Sequence, residues 1–282
     1  MLGKLIKYEW KNTAKICGSL NLFLVLMTVI ACLSFCTPMW EAVFTGNGFS
    51  PMLLLGIMFL ILYFVSIIGV LYGILIYLGV HFYRTMYSEE GYLTHTLPVT
   101  GHQLLVSKIL TAVLWYLIVM VLLMASIFAL LFTFMQMIFA AEGINFVKEL
   151  FRNWDTFLYG LEYAMGGELA TGILFYILQI VVGVFGSVMI LFGAITIGQL
   201  SSKHKVMMSI ISYFGITTVL QIISSMVMVP VTYYSTQAVM ERGEVMWTTT
   251  STLVIAMVIN LITAIVLYFS SHYIINKKLN LD

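Results

Sequence analysis

The chain has 282 residues, of which 61% are apolar and only 9% are charged, and its mean hydropathy is +1.04. Such a sequence has too few polar side chains to cover the surface of a soluble globular domain, so the composition indicates an integral membrane protein. The net charge of +1 hides an uneven distribution of Lys and Arg along the chain.

Long runs without Asp, Glu, Lys or Arg dominate the sequence, at residues 16–40, 42–83, 109–141, 169–202, 206–240 and 245–276. Each run exceeds the roughly 20 residues that a helix needs to cross a bilayer. Because the runs are unbroken, they exclude a porin-like barrel, whose strands alternate in polarity over about 10 residues. We therefore predict an all-α membrane protein with six transmembrane helices in one transmembrane domain, residues 1–282, with spans at about 17–37, 52–82, 104–137, 170–198, 207–234 and 249–274.

The basic residues predict the topology. With six spans, only Lys148, Arg152 and Arg242 fall on one side of the membrane. The other side receives Lys4, Lys7, Lys11, Lys15, Arg84, Lys108, Lys203, Lys205, Lys277 and Lys278. Since cytoplasmic loops carry the excess of Lys and Arg, both termini are expected in the cytoplasm.

Residues 2–16 predict a basic amphipathic helix that lies in the inner headgroup layer before the first span. Its lysines form one stripe, and the opposite arc is apolar and includes Trp10. The stripe consists of Lys4, Lys7, Lys11 and Lys15. Glu9 lies within the apolar arc. One interpretation is that its charge reaches solvent or pairs with a nearby lysine, and the other is that it contacts a basic partner in an assembled complex.

The cytoplasmic segment between Arg84 and Lys108 predicts a short helix across the membrane surface. Ser88 is a candidate N-cap, and acidic residues in the first turn suit the positive end of a helix. Tyr92, Leu93 and Leu97 form a compact apolar centre before Pro98 ends the helix. The alternative is that these apolar side chains merely rest on the inner leaflet.

The same segment carries a resemblance to a known family. It reads E-G-Y-L-x-x-T-L-P-V-T-x-x-x-L-L-x-S-K, and it lies between spans 2 and 3 of a six-span chain with a basic amphipathic N-terminal helix. This combination resembles the membrane subunit of an ABC-2 type exporter of the Gram-positive bacterial kind. The resemblance is best over about residues 1–135.

The resemblance implies a coupling helix that seats in a groove of a separate ATP-binding subunit, with the N-terminal helix bracing the same joint. Carried over residue by residue, the coupling segment consists of Ser88, Glu89, Glu90, Gly91, Tyr92, Leu93, Thr94, Leu97 and Pro98. It also implies two ABC ATPase subunits, a second permease chain that is identical or related, a bacterial cell membrane and its lipid. ATP and Mg would bind in the partner ATPase, with no cofactor in this chain and no nucleic-acid partner.

Two further segments leave alternatives open. Residues 142–168 form an amphipathic outer segment with apolar side chains at spacings of three and four, which fits a helix in the outer interface or a substrate site. The loop that contains Lys203, His204 and Lys205 is either a second cytoplasmic contact for the ATPase or a topology anchor.

Few polar residues lie deep in the runs, and none of the deepest is ionisable. Gln179, Gln221 and Asn260 are candidates for lining a translocation path, although amides also join packed membrane helices. An ion-coupled carrier normally needs a charge at membrane depth, and a Gly-x-x-x-x-Gly-Lys-Ser/Thr loop is absent from the sequence. The energy for transport is therefore expected from a partner chain.

Enzymatic chemistry is not expected in this chain. The histidines have no His-x-x-x-His spacing, so no metal site is predicted, and no catalytic residue is assigned. Two functions remain: a permease subunit of an ATP-driven exporter that moves an amphipathic peptide or lipid-like substrate, or a non-transporting membrane sensor or assembly protein that recruits a cytoplasmic partner.

Overall fold

The computed structural model describes residues 2–40, 50–88, 91, 99–165, 168–201, 203–242 and 245–277. Regular structure in this part of the chain is helical. A 3₁₀ turn at Pro38–Trp40 follows the first of eight α-helices. The helices are α1 (Leu2–Phe35), α2 (Pro51–Tyr87), α3 (Gly101–Ala141), α4 (Phe146–Arg152), α5 (Trp154–Met165), α6 (Leu169–Gly198), α7 (Lys205–Arg242) and α8 (Val245–Lys277).

Six of these helices, α1, α2, α3, α6, α7 and α8, are long and apolar enough to cross a membrane. The shortest of them, α6, has 30 residues and a length of roughly 45 Å, which exceeds the hydrocarbon thickness of a bilayer. Each predicted span lies on one of these helices, apart from residues 36 and 37, which follow the end of α1. The prediction of six helices with the length and apolar composition of membrane spans is confirmed. The side of the membrane on which each loop lies stays a prediction.

The first helix differs from the expectation at its start. Residues 2–16 do not form a separate helix, because α1 is helical without interruption from Leu2 to Phe35. The stripe lysines all point away from the packed side of α1, whereas Leu5, Ile6 and Trp10 are half-buried. The amphipathic pattern is thus present on a helix that continues directly into the first span.

The predicted outer amphipathic segment consists of two short helices, α4 and α5, that are divided at Asn153. Asn145 caps α4 by accepting a hydrogen bond from the backbone of Lys148 at 3.2 Å. Asn153 ends α4, since both its backbone and its side chain donate to Glu149, and its carbonyl then accepts from Phe157. One asparagine therefore closes the first helix and starts the second, which apolar spacing alone does not reveal.

The chain divides into two compact units. One unit contains residues 1–12, 75–117 and 159–282, and the other contains residues 13–74 and 118–158. In the first unit α6 packs against both α7 and α8, and α7 also contacts α8. The Phe82 and Phe192 rings stack in its core, with centroids 4.0 Å apart.

In the second unit, the core is formed by one face each of α1, α2 and α3. Leu24 and Tyr63 are almost fully buried there, together with Val119. The ring of Trp40 stacks on Phe35 and lies against Gly56, where an added Cβ would be 3.1 Å from the indole. Small and weakly polar side chains on the packed face of α1 permit this close helix packing.

Candidate functional site

Three helices of the first unit meet at the carboxylate of Glu9 on α1. Its Oε1 accepts a hydrogen bond from Lys108 Nζ on α3 at 2.5 Å, and its Oε2 lies 2.8 Å from His81 Nε2 on α2. Lys108 also donates to the hydroxyl of Thr85 at 2.7 Å. The Lys108 side chain is only 3% exposed and that of Glu9 is 18% exposed, so this is a charge pair held mostly away from solvent.

The positions of His81 and Thr85 on α2 and of Lys108 on α3 explain how these side chains reach Glu9. His81 and Thr85 lie one turn apart on α2, and the Thr85 hydroxyl donates to the His81 carbonyl, which leaves its oxygen lone pairs to accept from Lys108. Lys108 lies on the packed face of α3 among Leu105 and Ala112. A buried ammonium is tolerated there because the Glu9 carboxylate balances its charge and the Thr85 hydroxyl accepts a second hydrogen bond.

An aromatic stack adjoins the charge pair. The rings of Trp10 and Trp115 are nearly parallel, with centroids 4.3 Å apart and an interplanar angle of 13°. Trp10 follows Glu9 in sequence, and Trp115 lies two helical turns after Lys108 on the same face of α3. We call this cluster the N-terminal joint, and it consists of Glu9, Trp10, His81, Thr85, Lys108 and Trp115.

The N-terminal joint lies at the ends of α2 and α3 that face the predicted coupling segment in sequence. His81 and Thr85 lie near the end of α2, and Lys108 lies near the start of α3. The joint therefore connects the start of α1 to both helices that flank the predicted coupling segment.

Most of the predicted coupling residues, Glu89, Glu90, Tyr92, Leu93, Thr94, Leu97 and Pro98, lie outside the described residues. Ser88 donates a hydrogen bond from its hydroxyl to the Arg84 carbonyl at 2.7 Å, and the Gly91 N–H donates to the Ser88 carbonyl at 2.7 Å. Gly91 is buried, and a Cβ at that position would overlap the backbone of Met86 at 2.7 Å. The chain that leaves α2 thus makes a close turn that favours glycine.

The other predicted site residues are dispersed. Lys203 and His204 are exposed and Lys205 is half-buried at the start of α7. Gln221 is exposed on α7, and Gln179 is half-buried with an Oε1 atom that has no hydrogen-bond partner among the described residues. Asn260 lies against Gly186 of α6, where an added Cβ would be 3.3 Å from its Oδ1. That contact is helix packing, and within the described part of the chain these three amides make no hydrogen bond with one another.

Sequence reasoning missed a buried chain of hydroxyls in the second unit. Tyr63 and Ser126 are 2.7 Å apart at their oxygens, as are Ser126 and Thr28, and Thr28 donates to the Leu24 carbonyl at 2.8 Å. Each hydroxyl has one proton, so Ser126 must donate to Thr28 and Tyr63 must donate to Ser126. The chain joins α1, α2 and α3, and no local spacing in the sequence indicates it.

A second polar contact arises from residues far apart in sequence. His102 at the start of α3 lies 2.6 Å from the Tyr268 hydroxyl through Nδ1, and the His272 ring lies edge-on to His102 with centroids 5.7 Å apart. Within the described ranges, no group of three or more His, Cys, Asp or Glu side chains is placed to hold a metal ion.

No protein-family model, curated protein or solved structure matches this chain.

Proposed function

We propose that the chain is the membrane-spanning permease subunit of an ATP-driven exporter, and that a separate ATPase subunit supplies the energy. The observation that carries the proposal is the N-terminal joint. Glu9 binds His81 of α2 and Lys108 of α3, and these two helices flank the segment that resembles a coupling helix. The six long apolar helices supply the membrane part that such a subunit requires.

Transmission of force requires a segment that is anchored at both ends. A coupling helix moves the membrane spans only if α2 and α3 are displaced together when the ATPase displaces the coupling helix. The joint fixes the ends of these two helices to a third helix through a buried charge pair and a stacked indole pair. Because such a packed cluster has few alternative arrangements, displacement of the segment would move α1, α2 and α3 as a group.

The sequence supports a separate energy source. It contains no phosphate-binding Gly-x-x-x-x-Gly-Lys-Ser/Thr loop, and we assign nucleotide hydrolysis to a partner in this proposal. ATP and Mg would bind in that partner, and the proposed complex contains two ATPase subunits and a second permease chain.

The substrate path is proposed to be weakly polar. Gln221 is exposed on α7, and an amide in contact with hydrocarbon is unfavourable unless another protein chain, water or substrate meets it. Gln221, Gln179 and Asn260 remain candidates for that path. An amphipathic peptide or lipid-like molecule suits such a lining because it presents both apolar and polar groups.

Purification of the tagged chain from the membranes of its own host tests the proposal. We expect an ATP-binding subunit to co-purify in a fixed ratio. Replacing Leu93 and Leu97 by Asp should abolish that association, because a carboxylate buried in an apolar groove carries a large desolvation cost. Neutralising Lys203, which is exposed, and Lys205, which is half-buried, should weaken it less, because charges that solvent reaches contribute about 1 kcal/mol or less each. Recovery of the chain without an ATP-binding subunit would favour the non-transporting sensor or assembly function.

A further inference from the structure

An apolar groove of about 720 Å³ lies in the first unit, between α7 and α8. Its walls are formed along their length by side chains of these two helices, with Ile197 of α6 at one end. Ser212 and Thr263 are its only hydroxyl-bearing lining residues in the described part of the chain, and Thr263 donates its proton to the Ile259 carbonyl at 2.8 Å. The groove therefore offers almost no unpaired polar group and suits a hydrocarbon chain.

The packing of α6 on α7 explains where the groove begins. Gly198 at the end of α6 lies so close to α7 that an added Cβ would be 2.5 Å from the backbone of Ser209. Further along α7, Gly215 lines the groove, and an added Cβ there would meet no atom within 4 Å. The space at Gly215 is part of the groove.

The dimensions of the groove match one leaflet. Along α7 its lining extends from Ile211 to Ile223, a rise of roughly 18 Å, against a hydrocarbon depth of about 15 Å for half a bilayer. Its near end lies roughly 9 Å along α7 from Lys205, where the helix begins. Because the predicted span begins at about residue 207, roughly 3 Å of this interval lies in the headgroup layer and roughly 6 Å lies in the outermost hydrocarbon.

The near end of the groove also carries positive charge. Lys203 precedes α7 and is exposed, Lys205 is the first residue of α7, and the start of the helix adds the positive end of the helix dipole. Phosphate groups bind readily at such a helix start. The predicted topology places this end in the cytoplasm, where the leaflet carries the anionic lipids.

We propose that this groove, which we call the α7–α8 groove, is a binding site for an anionic phospholipid of the inner leaflet. An acyl chain lies along Gly215 and the apolar lining, and the phosphate lies at the start of α7 beside Lys203 and Lys205. This site rests on the predicted topology and does not depend on ATP-driven transport, so it is tested separately from the proposed function.

The test measures lipid bound to the full-length chain in detergent micelles by native mass spectrometry. The probes are phosphatidylglycerol and phosphatidylcholine with identical acyl chains, added at equal concentrations after delipidation. Wild-type protein should retain one phosphatidylglycerol per chain in preference to phosphatidylcholine. Equal occupancy by both lipids would overturn the proposal, because it would show annular lipid without headgroup recognition.

Two variants separate the acyl and headgroup parts of the site. Gly215→Phe fills the groove and should lower phosphatidylglycerol binding by roughly tenfold or more, because the ring displaces several methylene groups. Gly69→Phe is the matched control, since Gly69 also lies on a long helix with open space at its Cβ position but lies outside the groove. Lys203→Gln with Lys205→Gln should remove most of the preference for phosphatidylglycerol, at roughly fivefold per lysine, and leave phosphatidylcholine binding unchanged.

The variants also distinguish lipid from a second copy of the chain. Undiminished phosphatidylglycerol binding by Gly215→Phe would overturn the proposal. Loss of a dimer in Gly215→Phe without loss of lipid would show that the groove holds a second copy, which also overturns it. If Gly215→Phe does not yield folded protein, the double variant of Lys203 and Lys205 tests the proposal by itself. An unchanged preference for phosphatidylglycerol over phosphatidylcholine in that variant would contradict the proposed site.

Discussion

Lys108 Nζ and Glu9 Oε1 lie 2.5 Å apart although the two residues are separated by 99 positions in sequence. The lysine side chain is 3% exposed, so removing one partner and removing both should have very different consequences. Removing one partner of a buried ion pair is strongly destabilising, whereas replacing both with apolar side chains can be nearly neutral.

Glu9→Met should therefore lower the free energy of unfolding by about 3 to 5 kcal/mol, since it removes the carboxylate that binds the buried Lys108 ammonium. Lys108→Met should cost less, because Glu9 keeps His81 as a partner and is more exposed. The double variant should recover most of the loss. Denaturation of the purified protein in mixed micelles measures all three.

The control for this prediction is the pair of Glu149 and Arg152 on α4. These side chains are 2.7 Å apart, but Arg152 is 75% exposed. Glu149→Met should change the free energy of unfolding by less than about 1 kcal/mol. Additive losses in the Glu9 and Lys108 double variant would show that the two charges are not coupled.

The buried hydroxyl chain predicts a second mutant pair. Ser126→Ala removes the acceptor of Tyr63, which is 1% exposed, and should cost about 1 to 2 kcal/mol. Adding Tyr63→Phe should restore part of that stability, because the orphaned hydroxyl is then absent. Thermal unfolding in detergent measures both variants.

Ser225→Ala is the control for the hydroxyl chain. Its hydroxyl is exposed and donates only to the Ile222 carbonyl of its own helix, so its removal should leave the unfolding temperature nearly unchanged. If Ser126→Ala and Ser225→Ala behave alike, the hydroxyl chain does not join the three helices.

The close contact of α6 with α7 gives a third prediction. Gly198→Ala should destabilise the protein by about 1 to 3 kcal/mol, because the added methyl group overlaps the Ser209 backbone. Gly183→Ala on the same helix meets no atom within 4 Å and should be neutral or stabilising by up to about 1 kcal/mol. Equal unfolding temperatures for the two variants would contradict the packing at Gly198.

The sequence predicted the six long helices because charge-free length is a local property of the chain. It could not predict that α1 continues through residue 16, since the amphipathic pattern indicates which face packs and not where a helix bends. The division at Asn153 was missed because a cap depends on backbone geometry, whereas the apolar spacing continues on both sides.

The sequence indicates one residue of the candidate site but not the contacts that residue makes on other helices. Glu9 was noticed because an acid in an apolar arc is costly, but its partner lies on another helix, and pairing across 99 positions depends on tertiary packing. Lys108 contributes to the charge count of one side of the membrane, although it lies within the predicted span at about 104–137. A lone lysine among buried apolar positions of a helix is the signal that would have identified it.

The proposed function requires that this chain convert ATP hydrolysis by a partner into movement of a substrate. A suitable control for charge introduced into the predicted coupling segment is Ile144→Asp. Ile144 is 41% exposed in the turn between α3 and α4, remote in sequence from the segment. This variant should retain ATPase association and turnover because it adds a charge that solvent can reach.

ATP turnover by the purified chain, alone and with its co-purified subunit, is the most direct measurement. We predict no ATP hydrolysis by the chain alone and substrate-stimulated hydrolysis by the complex. Replacing both Leu93 and Leu97 by Asp should abolish the stimulation by substrate. The Ile144→Asp variant should retain it. Turnover by the isolated chain, or full stimulation in the Leu93 and Leu97 variant, would contradict the account.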